Sequence, residues 1–301
     1  MISKKDFEQK DRLIKGINDS GYFKISVVKT TDVIKTARKK HGLSMLNTVL
    51  LGRSMTAAML LSSELKGEER IQVRLEGNGP VNLIVAEANR VGEIRGYSGN
   101  PGATLEHGSE SASLKDGLGV GLLTVRKTLY NEAEPKTSTI KLVEGNVTDD
   151  IAYYLVQSEQ IASAILLDVG IDEEGAVSEA GGILIQRLPD APDQVMKNLQ
   201  EKMLDFESVS QLLADGHYID DIMHEAANPY KVKELDRQPV DFFCRCSRKR
   251  FVNTLAMLSL KELEEIREEG QELVCHFCNE KYYVGQNEID ELYKQKKTRL
   301  N

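Results

Sequence analysis

The sequence predicts an α+β fold: a large mixed N-terminal domain with a β-meander and packed helices, a helical linker, and a small C-terminal module. Three observations support this. Strand-like and helix-like patterns alternate through residues 1–227, the segment after Pro229 has few apolar side chains, and all four cysteines lie in the last sixty residues. With 41% apolar residues, the 301-residue chain can bury a full core. We expect domains at residues 1–227 and 241–301, joined by a metastable linker at residues 228–240.

The first elements are predicted from residues 22–65. Residues 22–28 are rich in β-branched side chains and predict a strand. Thr31 or Asp32 can cap a following helix that ends at Gly42. Apolar side chains cover most of the surface of a second helix at residues 44–65, which predicts burial on several sides or at a subunit contact.

A β-meander and two glycine-rich turns follow. Strand-like runs separated by turn residues lie at residues 71–75, 81–85 and 91–97. Gly77-x-Gly79 is not interpreted as a phosphate loop, because Pro80 and another strand follow where a helix N-terminus is required. The glycine run at residues 117–121 also continues into a strand. We interpret both as turn and bulge glycines.

The rest of the large domain is predicted to end in helices. A helix starts at Thr148, and helical patterns dominate from Asp193 until Asn228-Pro229 stops them. Two apolar strands lie between, at residues 162–169 and 181–188. Residues 230–240 alternate charged side chains with isolated apolar ones. A segment with so little core of its own should have low local stability.

The cysteines form two close pairs, Cys244-x-Cys246 and Cys275-x-x-Cys278, separated by 28 residues. Such pairs fit a metal site or a disulfide system. The charged residues 1–6 lack the apolar region of a signal peptide, and the apolar runs are much shorter than the roughly 20 residues of a membrane helix. We expect a soluble, cytoplasmic protein without membrane association. In a reducing cytosol, close cysteine pairs are typically metal-binding or redox-active.

The spacing favours one zinc ion held by Cys244, Cys246, Cys275 and Cys278. The first two cysteines share one face of an extended segment, and the second two lie at the tip of a predicted hairpin. Four thiolates at about 2.3 Å make a tetrahedral zinc site. His276 is an alternative ligand, but with four cysteines available a structural role is favoured.

The predicted module is small enough to need this metal. Ser259 and Glu262 form a capping box for a short helix, with Gly270 as its C-terminal stop. About 45 residues is near the size at which a metal is required for folding. Four thiolates around a divalent ion leave a charge of −2, which neighbouring cations can offset. These cations are Arg245, Arg248, Lys249 and Arg250.

Thiol reactivity would turn this structural site into a switch. Neighbouring cations lower a thiol pKa and ease its oxidation. Oxidation to sulfenic acid, followed by attack from a thiol two or three residues away, gives a disulfide and ejects the metal. The module would then lose folding free energy on the order of 10 kcal/mol, enough to loosen a weakly held neighbour such as the linker.

Together with three other segments, the cysteine pattern resembles the heat-shock protein 33 family, the 33 kDa chaperonins or redox-regulated holdases. The other segments are residues 75–80, residues 114–125, and residues 150–164 with Tyr154 and Ser158-Glu159-Gln160. The resemblance covers the whole chain. It implies an ATP-independent chaperone, not an enzyme, that is inactive when reduced and zinc-bound.

In oxidative stress, the resemblance implies zinc loss, disulfides Cys244–Cys246 and Cys275–Cys278, and unfolding of the linker. It also implies binding of unfolded client proteins, a homodimer in the oxidised state, and transfer of clients to ATP-dependent foldases. No short motif identifies client-binding residues, so we name none.

Three other functions fit the sequence less well. A thiol–disulfide oxidoreductase using Cys275-x-x-Cys278 requires a thioredoxin-like βαβ context rather than a hairpin. A nucleic-acid-binding zinc ribbon requires a basic face, which the net charge of −8 and the glutamates of the module oppose. A hydrolase requires a nucleophile motif around a histidine. No such motif is recognisable around His41, His107, His217 or His224.

Overall fold

The computed structural model describes residues 10–105 and 113–300, and the chain divides into two compact units between Phe243 and Cys244. The strands of the first unit are β1 (Arg12–Asn18), β2 (Phe23–Lys29), β3 (Arg70–Gly77), β4 (Leu83–Asn89), β5 (Glu93–Ser98), β6 (Gly121–Thr128), β7 (Lys136–Lys141), β8 (Ser163–Ile171), β9 (Val177–Arg187), β10 (Val232–Pro239) and β11 (Asp241–Phe242). Its helices are α1 (Thr31–His41), α2 (Met45–Ser62), α3 (Leu114–Leu118), α4 (Thr148–Gln157), α5 (Asp193–Leu204), α6 (Val209–Ala214) and α7 (Ile219–Ala227). The second unit contains α8 (Arg248–Leu255), α9 (Leu260–Glu265), β12 (Gln271–Val274), β13 (Lys281–Val284) and α10 (Gln286–Leu300).

The predicted α+β class is confirmed. The charged residues 1–6 and His107 lie outside the described residues. Within residues 10–105 and 113–300, every helix is too short or too polar to cross a membrane.

The first unit contains two sheets. One has the antiparallel order β10-β1-β2-β9-β8, and the other has the order β11-β5-β4-β3-β6-β7. The strand predicted at residues 22–28 is confirmed as β2, whose alternate residues Phe23, Ile25 and Val27 are buried in one apolar cluster with α5, α6 and α7. The predicted meander is confirmed as the antiparallel run β3, β4 and β5.

Helix α2 is buried along nearly its whole length, as predicted. The Ser44 hydroxyl caps it by accepting a hydrogen bond from the Asn47 N–H at 3.2 Å. The helix contacts β3, β4 and β5 of one sheet and β8 and β9 of the other. Full burial of side chains such as Leu50 and Met59 stabilises the fold by about 1.5–3 kcal/mol each. This helix therefore joins the two sheets into one core.

Helix α1 ends as predicted but begins differently. Gly42 is in the left-handed conformation at φ 60° and closes the helix. The helix starts at Thr31, so its N-cap position is Thr30 and not Thr31 or Asp32. The Thr30 side chain makes no capping hydrogen bond. Instead a carboxyl oxygen of Asp11, the residue before β1, accepts a hydrogen bond from the Val33 N–H at 2.8 Å. The hydrogen bond that caps the helix thus comes from a residue outside it.

The two glycine segments pack against each other. A Cβ atom on Gly77 would lie 2.0 Å from the carbonyl oxygen of Leu118, and the Gly79 N–H donates to that oxygen at 2.8 Å. Gly119 has φ 67° after the short helix α3. The glycines thus serve a close approach of two backbones, as expected for turns rather than a phosphate site.

The predicted helical linker is wrong in its secondary structure. Residues Val232–Pro239 form strand β10, which pairs antiparallel with β1. The edge of β1 supplies hydrogen-bond partners to an extended backbone, so pairing with β1 rather than the side-chain pattern of this segment makes it a strand. Strand β11 then pairs with β5, which places residues 241–243 in the first unit, whereas the sequence suggested a boundary at residue 241.

The second unit has a small core of its own. Its buried apolar residues are Leu255, Leu263, Val284 and Ile289. The predicted capping box of Ser259 and Glu262 is confirmed at α9, and the predicted hairpin is confirmed as β12 and β13. Helices α8 and α10 were not predicted, although Ile289, Leu292 and Tyr293 have helical spacing and contact this core.

Candidate metal centre

Two backbone segments of the second unit carry the cysteines. Cys244 and Cys246 lie in an irregular segment before α8, not in a regular strand. Cys275 and Cys278 lie in the turn between β12 and β13. In this turn, the N–H groups of Cys278 and Asn279 both donate to the Cys275 carbonyl, at 3.3 and 2.7 Å. Asn279 has φ 58°, a left-handed conformation that asparagine tolerates, so the turn closes tightly under the two sulfurs.

The structure brings the four predicted cysteines together. Their Sγ atoms all lie within 4.8 Å of one another. The Sγ atoms of Cys244 and Cys275 are 3.7 Å apart, and those of Cys246 and Cys278 are 3.3 Å apart. A tetrahedral ion with metal–sulfur bonds of about 2.3 Å separates its sulfurs by about 3.8 Å. The arrangement fits a four-sulfur site for a metal such as zinc.

Burial sets the charge of this cluster. Cys275 and Cys278 are buried, and burial raises the pKa of both thiols. Burial therefore favours the neutral thiol form of these two sulfurs over the thiolate. A divalent ion supplies the missing positive charge and favours the thiolates. Within the described residues, the clustered ligand atoms belong to the four cysteines and do not include His276.

Two of the cations predicted to offset the site's negative charge hold the backbone instead. Arg248 makes a bidentate ion pair with Glu288 of α10 and donates to the Tyr283 carbonyl at 3.1 Å. Arg250 donates to the carbonyl of Arg245 at 2.8 Å, inside the segment that carries Cys244 and Cys246. These contacts fix the cysteine segment beside the hairpin.

Tyr282 is a contact of the cluster that the sequence did not reveal. Its hydroxyl oxygen lies 3.2 Å from Cys246 Sγ. The ring packs against Phe251 of α8, with centroids 5.1 Å apart. In the sequence, Tyr282 stands out only as an aromatic residue four positions after Cys278. Its contact with the other cysteine pair arises from the fold.

Ionic contacts hold the C-terminal half of strand β10 in the first unit. The guanidinium of Arg90 hydrogen-bonds to Asp236 and Gln238. Arg237 binds Asp220 of α7 and, at 2.9 Å, Glu234. We call these contacts the β10 clamp. Leu235, the apolar residue in the middle of the strand, is 50% exposed, so apolar burial contributes little there.

The structure also bears on the other functions considered. The Cys275-x-x-Cys278 pair lies in an isolated two-stranded hairpin rather than in a thioredoxin-like βαβ unit. His41, His217 and His224 lie on or beside three different helices, α1, α6 and α7. Neither of these two functions gains support from the described residues.

The fold and site define an α+β protein with a separate C-terminal unit that gathers four thiols. A family model described as "Hsp33 protein" matches residues 11–285. The "33 kDa chaperonin" of Carboxydothermus hydrogenoformans is 38% identical over 290 residues, which cover 96% of this chain and 99% of that protein. The protein of the same name from Bacillus subtilis is 34% identical, over 95% of this chain and 99% of its own.

A solved structure agrees with these sequence matches. The crystal structure of the 33 kDa chaperonin, a heat shock protein 33 homolog, from Thermotoga maritima matches with a TM-score of 0.88 and 31% identity. The match covers 96% of this chain and all of that one. This chain belongs to the Hsp33 family. It is therefore a member of a family of chaperones.

Proposed function

We propose that this protein is a redox-regulated, ATP-independent holdase that is inactive when reduced and zinc-bound and is activated by oxidation. The observation that carries this proposal is the cluster of four Sγ atoms within 4.8 Å in a chain of the Hsp33 family. Cys244, Cys246, Cys275 and Cys278 would hold one zinc ion. The ion supplies the charge that stabilises four thiolates and thereby the small second unit.

Oxidation would give the disulfides Cys244–Cys246 and Cys275–Cys278. The shortest sulfur contacts described above run across the two segments, between Cys244 and Cys275 and between Cys246 and Cys278. Disulfides within each pair therefore remove the sulfurs that held the two segments together. This geometry supports a coupling between oxidation, metal loss and unfolding of residues 241–301, the proposed redox-switch domain.

The linker at residues 228–240 would respond to that unfolding. It is continuous in sequence with the cysteine segment, and its strand β10 is held by the β10 clamp and backbone pairing more than by apolar burial. Elements with few buried apolar contacts open at low free-energy cost. Release of the linker would uncover apolar surface on residues 1–227, the proposed chaperone domain, for unfolded client proteins.

The wider setting of this function follows the family. We propose a cytoplasmic protein that is not an enzyme, dimerises when oxidised, and passes clients to ATP-dependent foldases. We propose no role in nucleic-acid or membrane binding. The net charge of −8 supports the absence of a nucleic-acid role, because phosphate backbones are bound by basic surfaces.

The test follows three quantities in one sample: zinc release, free thiols and suppression of client aggregation, before and after hydrogen peroxide with mild heat. We expect one zinc per chain to leave, the four thiols to disappear, and aggregation suppression to rise. Equal suppression by the reduced and oxidised proteins would contradict the switch.

A double variant, Cys244→Ser with Cys246→Ser, tests the ligands. We expect it to lose stoichiometric zinc, because two of the four sulfurs are gone. His276→Gln is the matched control, since His276 lies between the other two cysteines but not among the clustered ligand atoms. It should keep one zinc. An unchanged zinc content in the double variant would remove Cys244 and Cys246 from the site.

A further inference from the structure

The hydroxyl of Tyr282 is placed by the fold against one particular sulfur. Tyr282 lies on β13, and its backbone pairs with Leu273 of β12 in the hairpin that carries Cys275 and Cys278. Its ring packs on Phe251, which fixes the direction of the hydroxyl. The oxygen lies 3.2 Å from Cys246 Sγ, which belongs to the other cysteine segment.

The contact has a definite direction once Cys246 is a thiolate. A thiolate has no proton to give, so the phenol must donate and the sulfur must accept. A hydrogen bond to a charged acceptor withdraws electron density from it and is lost when the sulfur becomes neutral. Cys246 is only half-buried, so an oxidant can reach it from solvent.

We propose that Tyr282 is a positioning residue that protects Cys246 against oxidation and so sets the oxidant threshold of the switch. This inference rests on the proposed function. In the step concerned, the Cys246 thiolate attacks one oxygen of hydrogen peroxide, the O–O bond breaks, and the leaving hydroxide takes a proton to become water. The sulfur is oxidised to sulfenic acid and the peroxide is reduced. The Cys244 thiol then attacks this sulfur, forming the disulfide and releasing a second water.

The test compares Tyr282→Phe with the unchanged full-length zinc protein. The variant keeps the ring on Phe251 and loses only the hydroxyl. We expect one zinc per chain in both, and peroxide-driven zinc release about 3- to 10-fold faster in the variant, as expected for the loss of one charge-assisted hydrogen bond. Trapping of sulfenic acid with dimedone should label Cys246 earlier and more strongly.

Tyr283→Phe is the matched control. This neighbouring tyrosine points to the opposite face of β13, and its hydroxyl donates to the Glu269 carbonyl at 2.8 Å, away from the sulfurs. Its rate of peroxide-driven zinc release should equal that of the unchanged protein. Zinc transfer to a chelator is also measured without peroxide. A variant whose zinc site is merely loosened would lose zinc faster both to the chelator and on peroxide treatment. A change in the reactivity of the Cys246 sulfur would accelerate only the peroxide-driven release.

The outcomes separate this inference from the proposed function. If peroxide fails to release zinc from the unchanged protein, the proposed function fails. If peroxide releases zinc from it and Tyr282→Phe reacts at the same rate or more slowly, the role of Tyr282 is overturned and the switch stands. A variant that binds less than one zinc, or that loses zinc faster to the chelator alone, would make Tyr282 a structural residue and also overturn the inference.

Discussion

At the scale of single residues, Asp11 makes stability depend on pH near neutrality. Its side chain is buried, and one carboxyl oxygen accepts a hydrogen bond from the Val33 N–H while the other has no hydrogen-bond partner among the described residues. Burial raises the pKa of Asp11 to about 7, against the lowering effect of the Val33 N–H; Asp32 raises it further and Lys29 lowers it. The folded chain therefore holds a proton on Asp11 that the unfolded chain releases near pH 4.

We expect the free energy of unfolding of the first unit to fall as pH rises from about 4 to 7. The folded-state pKa is raised, so the stabilisation is complete below the unfolded-state value and lost as pH passes the folded-state value. Between pH 5 and pH 8 the loss should be about 2–3 kcal/mol. Urea unfolding of the unchanged protein and of Asp11→Asn at these pH values measures it. Parallel pH profiles for the two would contradict the prediction.

At the scale of elements, strand β10 separates what the sequence could and could not predict. Local patterns were sufficient for β2, the meander and the capping box at α9, because each depends on residues close in sequence. Strand β10 instead pairs with β1, more than 200 residues earlier, and its own side chains contain little that fixes helix or strand. Cysteine spacing likewise identified the four clustered sulfurs, whereas Tyr282 reaches Cys246 only through the fold.

The β10 clamp should control how readily this strand opens. We expect Arg237→Gln and Arg90→Gln each to raise the rate of amide hydrogen exchange in residues 232–239 by about 2- to 10-fold, because partly exposed ion pairs are worth about 1 kcal/mol or less and charged hydrogen bonds somewhat more. Raised salt should accelerate exchange in the unchanged protein and have less effect in the variants.

Arg70→Gln is the matched control for the clamp. Arg70 is an exposed arginine of β3 whose nearest carboxylate, on Glu87, is 4.0 Å away. The Arg70→Gln variant should leave the rate of amide hydrogen exchange in residues 232–239 unchanged. If the two clamp variants also leave it unchanged, β10 is held by backbone pairing alone.

At the scale of the whole molecule, the two units depend on different sources of stability. The first unit buries two large apolar clusters around α2 and beneath α5 to α7, as expected for a domain that folds by apolar burial. Within residues 244–298, the second unit has one apolar cluster of four buried side chains with six partly buried ones packed against it, a small core for a stable domain of that size without a further source of free energy. In the proposed function, a metal bound to four thiolates would supply that source, so oxidation of the sulfurs would unfold the second unit while the core of the first stays folded.

Metal removal should therefore unfold the second unit and leave the core of the first unit folded. On chelation we expect amide protection to disappear in α8, α10 and the β12–β13 hairpin, because binding free energy on the order of 10 kcal/mol is lost, while β2 and β9 keep their protection. Since burial raises the pKa of Cys275 and Cys278, protons compete with the metal, and a lower pH should reduce the chelator concentration required. Hydrogen exchange followed by mass spectrometry at pH 6 and pH 8 measures both effects, and re-addition of zinc under reducing conditions should restore protection. Persistent protection of residues 248–255 and 281–289 after complete metal loss would show that this unit folds by its apolar core, and the metal would then have no means of switching it.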